Sequence, residues 1–238
     1  MTKQFIDINC DEEELFPLIS SCNIACGGHA GSKETIQLCL ELAKKYDVKV
    51  GAHPSYPDRE NFGRVSLNLF DDELILSIKQ QMQLFTSICS QMDVELHHIK
   101  PHGALYNDIA KDERLAITFL TAIEEFKKGV LIYVPYGSVI QKLATKNGFK
   151  VLVEAFADRN YNTDLSLVSR KESSALLTDG KEVLNHLLRM YKENKVKTVS
   201  GDNIPIIANT FCIHGDTPSA LQILAYLSNE LPHHNLLV

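Results

Sequence analysis

Short apolar runs alternate along the chain with stretches in which apolar residues recur every three or four positions. That is the pattern of strands alternating with helices. Phe5 to Cys10 alternates and predicts a first strand. Glu12 to Ile19 reads as a short acidic helical piece, and Ser20 to Cys26 as a largely apolar second strand, buried on both faces. Ser32 is placed to cap a helix over Lys33 to Tyr46, with Ile36, Leu40 and Ala43 as its buried stripe. Val48 to Ala52 predicts a third strand, and His53 to Arg64 a long loop. A long helix opens at Asp71-Asp72-Glu73, where acidic residues suit the positive end of the dipole, and runs to about Met92. Val94 to Ile99 predicts the fourth strand, followed by helical patterns from near Asp108 and over Glu113 to Phe126. Strands at Val130 to Val134 and Val151 to Phe156 flank a helix over Ser138 to Lys146, stopped by Asn147-Gly148. Asp158 to Arg170 reads as a loop and Lys181 to Lys192 as a helix. Ile204 to Ile213 is an apolar run broken at Pro205 and Asn209. Thr217 to Leu231 predicts a closing helix with Pro218 in its first turn.

These are roughly seven βα units, without a sequence repeat, low-complexity tract or linker, so an α/β fold with a parallel sheet is expected, as a single domain over residues 1–238. A closed barrel and an open sheet both fit. An open sheet gathers its site at one crevice. Here polar residues mark nearly every strand end, which favours the barrel.

Composition narrows the class. Of 238 residues, 45% are hydrophobic and 23% charged, as in ordinary globular domains. A net charge of −6 without a basic patch argues against a nucleic-acid partner. No apolar stretch is long enough to span a membrane. Met1-Thr2-Lys3-Gln4-Phe5 lacks the features of a signal peptide, so a cytoplasmic location is expected. The six cysteines are scattered and read as reduced core residues.

The candidate chemistry lies at strand ends, where α/β folds place it. The central stretch is Lys100-Pro101-His102-Gly103-Ala104-Leu105-Tyr106, which aims a cation and an imidazole between proline and glycine. Asp7, Asn9 and Asp11 have a spacing of two and share a face of the first strand. Asp7, Asp11, Lys100 and His102 are the candidate catalytic residues. Capping by Asp11 and backbone satisfaction by Asn9 are the plainer readings. Asp11, His53 and His102 suit a metal site with open positions, while the two histidines serve equally as hydrogen-bonding substrate contacts. His29 lies in a Gly-rich turn that either binds an anion or is simply tight. Lys100 either holds a carboxylate or reaches solvent. Asp158 and Arg159 are an internal ion pair or a substrate anchor, and Asp216 caps the last helix or contacts substrate. Asn9, His29, Asp158, Arg159, His214 and Asp216 are the candidate substrate-binding residues. His97 and His98 read as structural. There is no Gly-Lys-Ser or Gly-Lys-Thr, hence no P-loop.

Together the segments Asp7–Asp11, Asn23–Gly31, Val50–Pro54, Lys100–Tyr106, Phe156–Arg159 and His214–Pro218 resemble, end to end and in order, the LamB/YcsF family, that of the A subunits of prokaryotic 5-oxoprolinase. The resemblance implies an irregular seven-stranded (βα) barrel of the glycoside hydrolase/deacetylase type. It implies ring opening of 5-oxo-L-proline to L-glutamate driven by hydrolysis of ATP to ADP and phosphate, with separate B and C subunits as partners. A divalent metal ion is a further expected cofactor, and a homo-oligomer is left open. In such a reaction Asp11, with Asp7, would act as base or ligand, His53 and His102 would position water or metal, and Lys100 or Arg159 would hold the substrate carboxylate or an oxyanion. The chain departs from the family where Glu12-Glu13-Glu14 follows Asp11 directly, and where Gly28 replaces an aromatic before His29. Two other classes compete: a metal-dependent deacetylase or amidohydrolase without ATP, and a non-catalytic subunit that binds 5-oxoproline.

Overall fold

The computed structural model describes residues 4–238, so the reading of the first three residues lies outside the described residues. Seven strands close a barrel, with parallel pairing. They are β1 Asp7–Cys10, β2 Ser21–Ala25, β3 Lys49–His53, β4 Leu96–Ile99, β5 Leu131–Pro135, β6 Lys150–Phe156 and β7 Thr210–Cys212, in the order β7-β1-β2-β3-β4-β5-β6. The helices are α1 Lys33–Tyr46, α2 Asp71–Gln91, α3 Gly103–Ile109, α4 Glu113–Ala122, α5 Val139–Lys146, α6 Gly180–Glu193 and α7 Ala220–Glu230. The closed barrel is thus the correct member of the pair left open by the pattern. Contacts divide the chain into two compact units, Cys22–Leu152 and the remainder.

In the unit Cys22–Leu152, Ser32 caps α1 as expected, and Thr35 completes a reciprocal cap in place of the usual Glu. Ile36, Leu40 and Ala43 are buried, as the stripe predicts. Helix α2 begins at Asp71, where the Glu73 carboxylate accepts the Phe70 N–H at 3.1 Å. The helix expected near Asp108 instead starts at Gly103, directly after His102. Gly103 has φ +58°, and a Cβ there would collide with the Gly63 carbonyl oxygen, so only glycine fits this close crossing of two chain segments. The β3–β4 register shifts between Val50 and Gly51, where Gly51 leaves room for the inward-facing His98 ring. His98 is fully buried and hydrogen-bonds the Asn23 side chain at 2.9 Å, which supports its structural reading.

In the other unit, β7 lies between β1 and β6, pairing Thr210 with both Asp7 and Glu154. The predicted first strand is split: Gln4–Phe5 pairs with Leu236–Leu237, and only Asp7–Cys10 enters the barrel. The broken run Ile204 to Ile213 is two strands, a short one at Asn203–Pro205 paired antiparallel with Lys195–Lys197, and then β7. The segment after Asp158 is longer and more ordered than a plain loop. Bridges Arg159–Leu176 and Tyr161–Leu167 fold it back on itself. Helix α7 starts at Ala220 rather than Thr217, after Ser219 in a left-handed conformation, so Pro218 precedes the helix instead of opening it. No helix among the described residues is long and apolar enough to cross a membrane.

Candidate active site

In the unit Cys22–Leu152 the strand ends bring His29, His53 and His102 together. His53 is the last residue of β3, and His102 precedes α3. His29 sits in the turn after β2, whose carbonyls at Gly27 and Gly31 are clamped by the Arg59 guanidinium. The His29 and His102 rings stack with centroids 3.7 Å apart, and Phe62 meets both edge to face. His53 Nδ1 lies 2.6 Å from the Lys100 carbonyl, and His102 Nε2 lies 2.9 Å from the Phe62 carbonyl. A carbonyl only accepts, so each of these nitrogens is the N–H donor. The remaining nitrogens, His53 Nε2 and His102 Nδ1, face each other at 2.9 Å.

Two neutral imidazoles so arranged point lone pairs at one another. Repulsion between them is relieved by a third proton or by a cation. Burial pushes His53 well below the ordinary imidazole range, with His102 and Lys100 adding to the effect, and so opposes the extra proton. Neutral imidazole with its far N–H on a backbone carbonyl is the form that ligates metals. The donor set therefore fits a divalent cation. His29 is 4% exposed, and its Nδ1 has no hydrogen-bond partner among the described residues. Burial, with His102 close by, pushes its imidazole down to about 3, so it is neutral. Lys100 is only 5% exposed, which rules out the solvent-reaching reading.

The other unit gathers a second set. Asp7 stands at the start of β1, about 13 Å before Asp11 at 3.3 Å per residue. Its carboxylate accepts the Ser21 hydroxyl at 3.0 Å and the Thr210 hydroxyl at 2.6 Å, and Asn9 donates to Thr210 Oγ1 at 2.7 Å. Asp7 and Asn9 thus share a face, as their spacing predicts. Asp11 accepts the Gly215 N–H at 2.9 Å. Asp158 is fully buried and accepts the His214 backbone N–H at 2.9 Å, the His214 ring and the Thr217 hydroxyl. Burial alone would raise its carboxyl, but the charge and hydrogen bonds of His214, with Thr217, outweigh this and hold it at about 2. Asp158 and Arg159 are not an ion pair: the Arg159 guanidinium donates to the Val168 and Ala175 carbonyls. Asp216 does not cap α7; it forms a two-point ion pair with Arg170 at 3.1 and 3.2 Å.

Several positioning groups escaped the sequence reading: Thr210, Thr217, Arg59 and the Phe62 carbonyl. Thr210 meets Asp7 across 203 positions, a separation that no local pattern announces.

A closed parallel barrel with imidazoles and carboxylates at its strand ends places the chain in the class of βα-barrel proteins. The LamB/YcsF family model matches residues 2–238, and the chain belongs to that family. It is 37% identical to the A subunit of 5-oxoprolinase from Haemophilus influenzae strain PittEE, over 97% of each chain. It is 38% identical to the A subunit of 5-oxoprolinase from Thermococcus sibiricus, over 94% of this chain and 88% of that one. Its structure is similar to the crystal structure of a lactam utilization protein from Thermus thermophilus, with TM-score 0.89, 33% identity and 99% of each chain covered.

Proposed function

We propose that this chain is the A subunit of a 5-oxoprolinase that opens 5-oxo-L-proline to L-glutamate, coupled to hydrolysis of ATP to ADP and phosphate, with separate B and C subunits. The observation that carries the reading is the near end-to-end match to relatives bearing that name. ATP coupling rests on the family resemblance and on no nucleotide-binding motif in this chain.

The strand-end chemistry suits the task. A lactam is a stable amide, so its opening needs a polarised carbonyl and a placed water. His53 and His102 make a ligand pair of the kind a divalent ion takes, and these would hold it. When bound, such an ion supplies Lewis-acid polarisation and water activation. The carbonyls of Lys100 and Phe62 hold the two imidazoles in the ligating tautomer. Lys100, buried beside them, is the cation for the substrate carboxylate or a developing oxyanion. His29, neutral with an open Nδ1, orients the substrate. We assign Asn9 and Asp216 to binding. Asp7 we assign to holding Thr210, and through it Asn9, rather than to proton transfer.

The test is reconstitution of the chain with its B and C partners, supplied with 5-oxoproline and ATP. Glutamate and ADP in equal amounts are expected. Glutamate formed with metal and no nucleotide would replace this reading with that of an ATP-independent amidohydrolase, which the converging imidazoles also suit. Binding of 5-oxoproline with complex activity unaffected by loss of the pocket acids would make the chain a delivery subunit.

A further inference from the structure

The turn after β7 holds an arrangement whose chemistry exceeds substrate contact. Asp158, held at about 2 and fully buried, stays ionised and can only accept. The His214 Nδ1, 3.1 Å from both of its oxygens, must therefore carry the hydrogen. In the neutral form of the ring, the lone pair is then on Nε2. That atom makes no hydrogen bond among the described residues, and the side chain is 18% exposed. The ring lies against Phe156, their planes 10° apart. So the imidazole is fixed from behind by a carboxylate and from one face by an aromatic, with one basic nitrogen left open. A purely structural clasp on Asp158 would not need this, because the His214 backbone N–H and the Thr217 hydroxyl already bind the carboxylate.

The next residue ties this turn to the end of β1. The Gly215 N–H binds Asp11, so the ends of β1 and β7 are joined there. A Cβ at Gly215 would overlap the Glu12 side chain, so the turn is packed too closely to admit one.

We propose that His214 is the proton-transfer residue of ring opening and Asp158 its positioning residue. This rests on the reaction proposed above. In the step, Nε2 takes a proton from the water whose oxygen bonds to the ring carbonyl carbon. As the carbon–nitrogen bond breaks, its electron pair stays on nitrogen, and the imidazolium Nε2–H returns the proton there. Water is added across the amide and His214 ends unchanged. Asp158 holds the tautomer and the charge of the imidazolium.

The experiment is steady-state turnover of 5-oxoproline by the chain in complex with its B and C partners. His214→Ala is expected to lower kcat by about 10²–10⁴-fold, and added imidazole to restore part of it. Asp158→Asn is expected to lower kcat by up to about 10⁴-fold with KM little changed, since an amide no longer enforces the tautomer. His214→Gln keeps a side chain that donates to Asp158 and serves where the alanine variant fails to fold. A folded His214→Gln with kcat within about threefold of the native chain, or a slow His214→Ala that imidazole does not restore while His214→Gln is fast, overturns the assignment. Failure of the unaltered complex to make glutamate overturns the reaction itself, and this inference with it.

Discussion

At the scale of the residue, the decisive feature is how ring nitrogens are spent. His53 and His102 each commit one N–H to a carbonyl and turn the other nitrogen toward the other ring at 2.9 Å. The unaltered chain is therefore expected to take up a divalent ion such as Zn²⁺ or Mn²⁺, and His53→Ala or His102→Ala to weaken that uptake at least tenfold. Titration calorimetry on the metal-stripped chain decides this; equal affinity in all three proteins would leave a shared proton as the occupant. Gly103 acts through space rather than chemistry. Gly103→Ala drives a Cβ into the Gly63 carbonyl oxygen at φ +58°. A loss of about 2 kcal/mol or more is expected in urea unfolding, from left-handed strain plus the clash. An unchanged midpoint would mean that the two segments part freely.

Among the elements, the segment between β6 and α6 shows how one side chain orders a backbone. Arg159 is 5% exposed, and its guanidinium donates to the Val168 and Ala175 carbonyls, 9 and 16 residues on. Burial lowers its pKa from the usual value, with Arg170 nearby adding to this, and it stays charged. Arg159→Met keeps the stem but takes the side-chain donor from the Val168 carbonyl and leaves the Ala175 carbonyl with the Asn160 N–H alone, at a cost of about 1–3 kcal/mol. Limited proteolysis is expected to cut between residues 160 and 178 faster in that variant. Equal cleavage would show that the two backbone bridges alone suffice. Asp158, one residue earlier, contributes to a different task through Thr217 and His214.

For the whole molecule, buried neutral histidines set the response to acid. Burial is the main cause that lowers His29, His53, His98 and His186, to about 3 in His29 and about 4 in His186. Each has a folded value below its unfolded one near 6.5, so the unfolded chain binds more protons between the two. The stability they confer is complete above about pH 6.5 and is lost as pH falls toward the folded values. His186, whose Nε2 has no hydrogen-bond partner among the described residues, accounts for about 1–3 kcal/mol of it. Asp158, held at about 2, adds its own loss only as pH falls below its unfolded value near 3.8. The metal-free chain is thus expected to show a falling thermal midpoint from pH 6.5 to 4. A flat profile over that window would mean that the histidines open to water without cost.

Local pattern determined much of this protein. Periodicity marked the helices of the repeating units, since one buried stripe per helix is written at three- and four-residue spacing. Strand-end position marked His53, His102, Asp158 and His214 as candidates, because α/β barrels carry their chemistry at strand ends. The misplacements had tertiary causes. The α3 start at Gly103 and the late start of α7 depend on conformations that crowding around Gly63 and the demand of Asp158 for Thr217 impose. Only the tertiary structure decided partners: that Asp158 takes His214 rather than Arg159, that Asp216 takes Arg170, and that Asp7 meets Thr210. Side-chain type and spacing specify what a residue can bond. Which partner it meets, tens to hundreds of positions away, is set by strand order and register, and that geometry exists only once the barrel has closed.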